Sequence, residues 1–121
     1  MRLLRDILKK LSALCIKNDA TLYNNLGNAH YCLQNYELAI ADYNKVIELN
    51  PDYTVAYYNR GNAYFSLQKY TEAITDYNKY IELEPNDPDG YSQRAACYQK
   101  TGDTAKAQAD LDKAQQLSSN G

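Results

Sequence analysis

The sequence predicts an all-α solenoid of stacked helical hairpins, and three observations carry that expectation. Residues 25–51, NLGNAHYCLQNYELAIADYNKVIELNP, are written again with few changes as residues 59–85, NRGNAYFSLQKYTEAITDYNKYIELEP, which sets a period of about 34. Within each period, apolar and small residues recur at intervals of three and four, the spacing of one face of a helix. Short polar turns, LQN, LQK and TGD, then split every period into two such segments.

The first element is a helix over residues 2–16 with a stripe of Leu4, Leu8, Leu11 and Leu14. It is expected to close the open face of the first hairpin, so residues 1–19 form an N-terminal amphipathic cap. Arg2, Arg5, Lys9, Lys10 and Lys17 against Asp6 and Asp19 support a rival reading, a helix lying on a membrane surface. The charged residues interrupt the apolar part, and the uncharged run LSALCI is too short for the core of a cleaved leader.

Three units follow, about 20–53, 54–87 and 88–121. One register carries Tyr23, Tyr57 and Tyr91; Gly27, Gly61 and Ala95; Ala39, Ala73 and Ala107; and Tyr43, Tyr77 and Leu111. The small residues fall where paired helices cross most closely. Pro51 and Pro85 end the helices before them, because the residue preceding a proline is pushed out of the helical region. Asp87 before Pro88 reads as an N-cap followed by proline at the first helical position.

A hairpin of this kind cannot bury its apolar face alone, so neighbours must share a core. Ile40 and Ile47, then Ile74 and Ile81, recur on the second helices, and Gln108 and Gln115 stand at those places in the third unit. A buried isoleucine contributes roughly 1.5–3 kcal/mol, so the glutamines mark the third unit as an expected end cap. Asp42 precedes Arg60 by the same interval at which Asp76 precedes Arg94. An ion pair is expected across each junction between units, setting register more than net stability.

The tyrosine, glycine, tyrosine, alanine, tyrosine and proline at these offsets resemble the tetratricopeptide repeat, whose pattern covers residues 20–119. The departures are few: His30 in the place of Tyr64 and Tyr98, Val46 and Tyr80 where alanine is common, and Ser119 for the closing proline. The resemblance implies a concave groove lined by the first helix of each hairpin. Carried over position by position, it places Asn24, Asn25, Asn28, Tyr31 and Cys32 of the first unit on or near that groove. Tyr58, Asn59, Asn62 and Phe65 of the second unit and Gln93 of the third follow. A carboxamide offers one acceptor and two donors, enough to pair with a ligand's peptide groups without reading its side chains. Asparagine is a mediocre helix former, so its return on one helix face favours binding over packing.

Family members that bind acidic chaperone tails use a two-carboxylate clamp. Its asparagines match Asn28 and Asn59, but its three cationic places hold Asn24, Asp89 and Gln93 here. The expected ligand is therefore an uncharged or mildly basic peptide segment of a partner protein, held by asparagines and aromatic rings. Self-assembly through the N-terminal helix is the rival to a monomeric adaptor.

Composition narrows the rest. At 121 residues, 45% hydrophobic and 23% charged, the chain fits one folded domain. A formal charge of -2 gives no basic field for nucleic acid. Cys15, Cys32 and Cys97 lack paired spacing, so neither a disulfide framework nor a metal site is indicated, and a reducing cytoplasm suits them. His30, the single histidine, falls on an inter-helix face, and there is no glycine-rich phosphate loop. The sequence points away from an enzyme and from any cofactor. Most of the 13 tyrosines fall at core positions, with Tyr31, Tyr53 and Tyr58 expected at the surface.

Overall fold

The computed structural model describes the backbone of residues 2–17 and 19–120, and the side chains of residues 2–10 and 19–120. Among these residues the chain forms seven helices and no strand: α1 (Arg2–Lys17), α2 (Ala20–Cys32), α3 (Tyr36–Leu49), α4 (Thr54–Ser66), α5 (Tyr70–Leu83), α6 (Pro88–Thr101) and α7 (Thr104–Asn120). Helices α2–α3, α4–α5 and α6–α7 pair as hairpins; α3 packs on α4 and α5 on α6, with α2, α4 and α6 touching along one side. This is the expected α-solenoid. No described helix is long and apolar enough to cross a membrane.

The two kinds of turn have different causes. Inside each hairpin the first helix ends in a left-handed residue, Gln34 (φ 64°), Gln68 (φ 62°) or Gly102 (φ 88°). The next N–H reaches back to close the turn, from Asn35 to His30 O, Lys69 to Tyr64 O and Asp103 to Tyr98 O, the pattern that normally selects glycine. Between hairpins the chain leaves the helix at extended Asn50 and Glu84, each preceding a proline. Tyr57 and Tyr91 donate their hydroxyls to Pro51 O (2.7 Å) and Pro85 O (3.2 Å), tying each turn to the next helix. The Asp87 carboxylate accepts from Asp89 N at the start of α6, with Pro88 in the first turn, as expected.

The first two hairpins are locked where a tyrosine of the second helix lies against a glycine of the first. A Cβ on Gly27 would stand 2.5 Å from Tyr43 Cε1, and one on Gly61 2.7 Å from Tyr77 Cε1. Only hydrogen at those positions lets the rings seat, and Tyr43 and Tyr77 are fully buried there. Ala39, Ala73 and Ala107 are buried at their common place, while Ile40, Ile47, Ile74 and Ile81 are half-buried and Gln108 and Gln115 exposed.

Two expectations need correction. The ion pairs lie within hairpins: Arg60 forks onto Asp76 (Nε 2.9 Å, Nη2 2.6 Å) and Arg94 onto Asp110 (2.8 and 2.7 Å). Arg60 does not meet Asp42, nor Arg94 Asp76; what crosses each junction is Arg60 Nη1 to Asn44 and Arg94 Nη1 to Asn78. Antiparallel helices bring residues equidistant from the turn together, and both intervals satisfy that rule, so spacing alone could not choose. In the first unit Leu26 replaces the arginine, and Asp42 instead meets His30 Nδ1 at 2.6 Å.

The second correction concerns α1. It is helical as expected, but Leu4 and Leu8 are 56% and 57% exposed, so the described half of the stripe does not cap the first hairpin. Leu11 and Leu14 lie outside the described side chains. Lys17 stands at the register of Pro51 and Pro85, so the helix runs on and leaves two residues, not four, before α2.

Candidate functional site

Polar residues recur along α2 and α4, and some of them meet in a hollow of about 210 Å³. Asn28, Tyr31, Cys32, Tyr43, Asn59 and Asn62 line it. Asn28 follows Gly27 and Asn62 follows Gly61, so the close crossing that seats each tyrosine ring also delivers its hydroxyl to the neighbouring amide. Tyr43 donates to Asn28 Oδ1 at 2.6 Å and Tyr77 to Asn62 Oδ1 at 2.5 Å. Burial lifts both phenols well above their ordinary value, so they remain donors.

Each of those oxygens receives a second bond from the following hairpin. Asn59 Nδ2 donates to Asn28 Oδ1 at 3.1 Å, and Gln93 Nε2 to Asn62 Oδ1 at 3.1 Å. Asn59 also reaches Asn24 Oδ1 at 3.4 Å. The result is a ladder along the inner curve in which the oxygens of Asn28 and Asn62 are filled from within the protein. The Nδ2 group of Asn28 makes no hydrogen bond to any described residue, and that of Asn62 meets the Tyr58 hydroxyl and keeps a second N–H. What the hollow offers a ligand is therefore N–H donors, which pair with carbonyl oxygens.

The sequence-derived residues separate on this geometry. Asn28, Tyr31, Asn59 and Asn62 meet in the hollow, and Gln93 braces it. Asn24 is buried behind it, and Asn25 is exposed but outside the lining. Tyr58, expected at the surface, is half-buried because its ring packs on Tyr77 (centroids 6.0 Å) and Tyr80 (5.1 Å). Burial, with the carboxylates of Asp89 and Asp87 nearby, raises its phenol, and the adjacent Asn62 amide pulls the other way. Phe65 is half-buried edge-on to Tyr70, repeating Tyr31 against Tyr36 (both 5.3 Å). Tyr43 is the lining residue that sequence reasoning assigned to the core alone; its signal was the joint loss of tyrosine and asparagine in the third unit, where Leu111 and Ala96 stand.

Asp42, Arg60, Asp76 and Arg94 lie outside this lining. Burial raises the Asp76 carboxyl and Arg60 draws it back down. Cys97 is buried, and burial pushes its thiol up to about 11, which suits an inert core residue. Among the described residues, no group of three acidic, histidine or cysteine side chains is placed to hold a metal.

Residues 20–53 and 54–87 match one model of the tetratricopeptide repeat, and residues 76–109 match a second model of the same description. Among solved structures, that of MamA superposes with a TM-score of 0.86 at 27% identity, over 89% of this chain and 63% of that one. The chain thus spans less than two thirds of MamA. The first such domain of Spaghetti (RPAP3), bound to the HSP90 peptide SRMEEVD, superposes with a TM-score of 0.80 at 28% identity, covering 84% of this chain and 81% of that one. The domain of Arabidopsis OM64 is alike in fold, with a TM-score of 0.79 at 24% identity and 84% of each chain covered. No curated protein matches the sequence.

Proposed function

The chain belongs to the tetratricopeptide repeat family, and from that premise we propose that it is a protein-interaction module whose hollow holds a peptide segment of a partner. The observation that carries this is the amide ladder: Asn28 and Asn62 line the hollow with their oxygens already occupied, which leaves N–H groups as what they can offer a ligand. Donors that are already oriented lose little freedom on binding, and main-chain carbonyls are the acceptors every peptide carries. The RPAP3 domain, which holds a peptide, lends the reading support by likeness.

The ligand differs in charge from that acidic peptide. A clamp for two carboxylates needs cations where this chain has Asn24, Asp89 and Gln93; Asn24 is buried and already bonded, and Gln93 is committed to Asn62. An uncharged or mildly basic segment fits, with Tyr31 as an apolar wall. Three hairpins make a short groove, so affinity is on the order of -8 kcal/mol, micromolar. Peptide-display selection on the intact protein tests this, repeated with Asn28, Asn59 and Asn62 changed to alanine. Selection of the same sequences at the same affinity by both proteins would remove the groove assignment.

A further inference from the structure

The ladder sets a distance as well as a polarity. Asn28 and Asn62 occupy the same place on consecutive first helices, α2 and α4, which lie side by side. Packed helices stand about 8–10 Å apart, so the two donors are separated by about that length along the groove. Neither can swing to adapt, since each oxygen is held at two points, by Tyr43 and Asn59 or by Tyr77 and Gln93. The third unit has Ala96 at this place, so the series holds two donors and stops.

A peptide strand in the β conformation presents carbonyls on one side every second residue, about 6.7 Å apart. That repeat falls short of the donor spacing, and its double overshoots. A polyproline II helix turns once every three residues with a rise of about 3.1 Å each, so carbonyls facing one way recur about every 9.3 Å. This backbone has no internal hydrogen bonds to give up. Tyr31 in the lining, and Tyr58 against Asn62, are aromatic rings of the kind on which proline rings pack. Asp87 and Asp89 near Tyr58 favour a basic residue at that flank.

We infer that the hollow takes a proline-rich segment in the polyproline II conformation, with Asn28 Nδ2 and Asn62 Nδ2 donating to carbonyls one helical turn apart. This rests on the interaction-module reading and specifies its ligand.

The test uses the full chain and two labelled, uncharged peptides of about nine residues, three turns of such a helix: an oligoproline, and a serine–threonine–valine peptide that favours the β conformation. Fluorescence anisotropy is measured on the native protein and on Asn28→Asp and Asn62→Asp. Aspartate keeps both acceptor oxygens for the internal bonds and removes the outward donors, and circular dichroism checks that helix content is unchanged. The expected result is saturable oligoproline binding, weakened about tenfold by either substitution, with the second peptide bound more weakly. A second readout needs no variant: oligoproline should slow alkylation of Cys32, which lines the hollow. Equal binding of both peptides, weakened alike by the substitutions, would overturn the polyproline inference and leave the groove reading standing. No oligoproline binding also overturns the inference. Binding that ignores both substitutions and leaves Cys32 unprotected removes the groove itself.

Discussion

Gly61→Ala is expected to destabilise the native protein by about 1–2 kcal/mol and to stabilise the same protein once Tyr77 is leucine. A Cβ on Gly61 would stand 2.7 Å from Tyr77 Cε1, 3.0 Å from Cζ and 3.1 Å from Cδ1, so the ring must retreat. It is fully buried, its hydroxyl is tied to Asn62 at 2.5 Å, and the Tyr58 ring stands 6.0 Å away. Overfilling such a site costs about 1–3 kcal/mol, and a rigid, anchored ring belongs to the upper half of that range. Alanine in place of helical glycine returns about 1 kcal/mol. The third unit carries Ala95 and Leu111 at these two places, the pair the double variant recreates. With the ring gone only the helix gain remains, so the sign reverses and the coupling between the two sites is about 2–3 kcal/mol. Urea denaturation of the four proteins of the cycle, followed by circular dichroism, measures it. A Gly61→Ala effect of the same sign and size in both backgrounds would refute the crossing geometry.

Arg60→Ala leaves Asp76, 2% exposed, without its partner and should cost about 3 kcal/mol, whereas Asp42→Ala, which removes only the half-exposed His30 contact, should cost under about 1 kcal/mol; equal costs in chemical denaturation would restore the junction pairing. Because burial raises the Asp76 carboxyl, its folded form holds a proton more tightly than the unfolded chain, and that contribution is lost as pH rises. The Arg60→Ala deficit should therefore be larger at neutral pH than in acid, as read from denaturation midpoints. Under native conditions iodoacetamide should label exposed Cys32 and spare buried Cys97, as mapped by peptide mass; with the Cys97 thiol raised from 9.0 to about 11, stability should decline as pH rises across that window. Gln68→Gly should stabilise by about 0.5–1 kcal/mol by relieving a left-handed glutamine at φ 62°, and an unchanged melting temperature would deny the strain. An SRMEEVD peptide should show no saturable binding in calorimetry, since no cation stands at Asn24, Asp89 or Gln93.

The hairpins and their order were legible because the signals that made them are local and periodic: glycine opposite tyrosine in two units, proline after the second helix of the same two, a polar turn inside all three. Asparagine recurs at Asn28 and Asn62 on the inner face, but its oxygens are put to use within the fold by Tyr43 and Tyr77, which the pattern did not show. What periodicity could not resolve was pairing between places that all repeat at the same interval. Arg60 stands 18 residues after Asp42 and 16 before Asp76, and only the turn geometry decides for Asp76. Gln34 and Gln68 looked like ordinary polar turn residues beside Gly102, yet all three are left-handed. Tyr58 looked superficial because it falls off the core stripe, but Tyr77 and Tyr80 leave room for its ring. At α1, Lys17 stands in the register of Pro51 and Pro85, and the helix runs on to it.

Core and groove are built here from the same three residues. Glycine lets the tyrosine ring enter, the ring places its hydroxyl on the amide oxygen one residue along, and that bond occupies the oxygen and leaves the N–H groups as the amide's remaining capacity. The units that have the set, Gly27–Asn28–Tyr43 and Gly61–Asn62–Tyr77, have it whole; the third has Ala95, Ala96 and Leu111 and none of it. Substitution of one member should therefore disturb the others, so Tyr77→Leu loosens Asn62 as well as the core, leaving its oxygen to Gln93. Tyr77→Phe separates the two effects: the ring still fills the crossing, and only the hydrogen bond that aims Asn62 is removed. A stability loss near 1 kcal/mol with a loss of peptide affinity would assign that bond an orienting role. The same stability loss with affinity unchanged would leave the hydroxyl to the core alone.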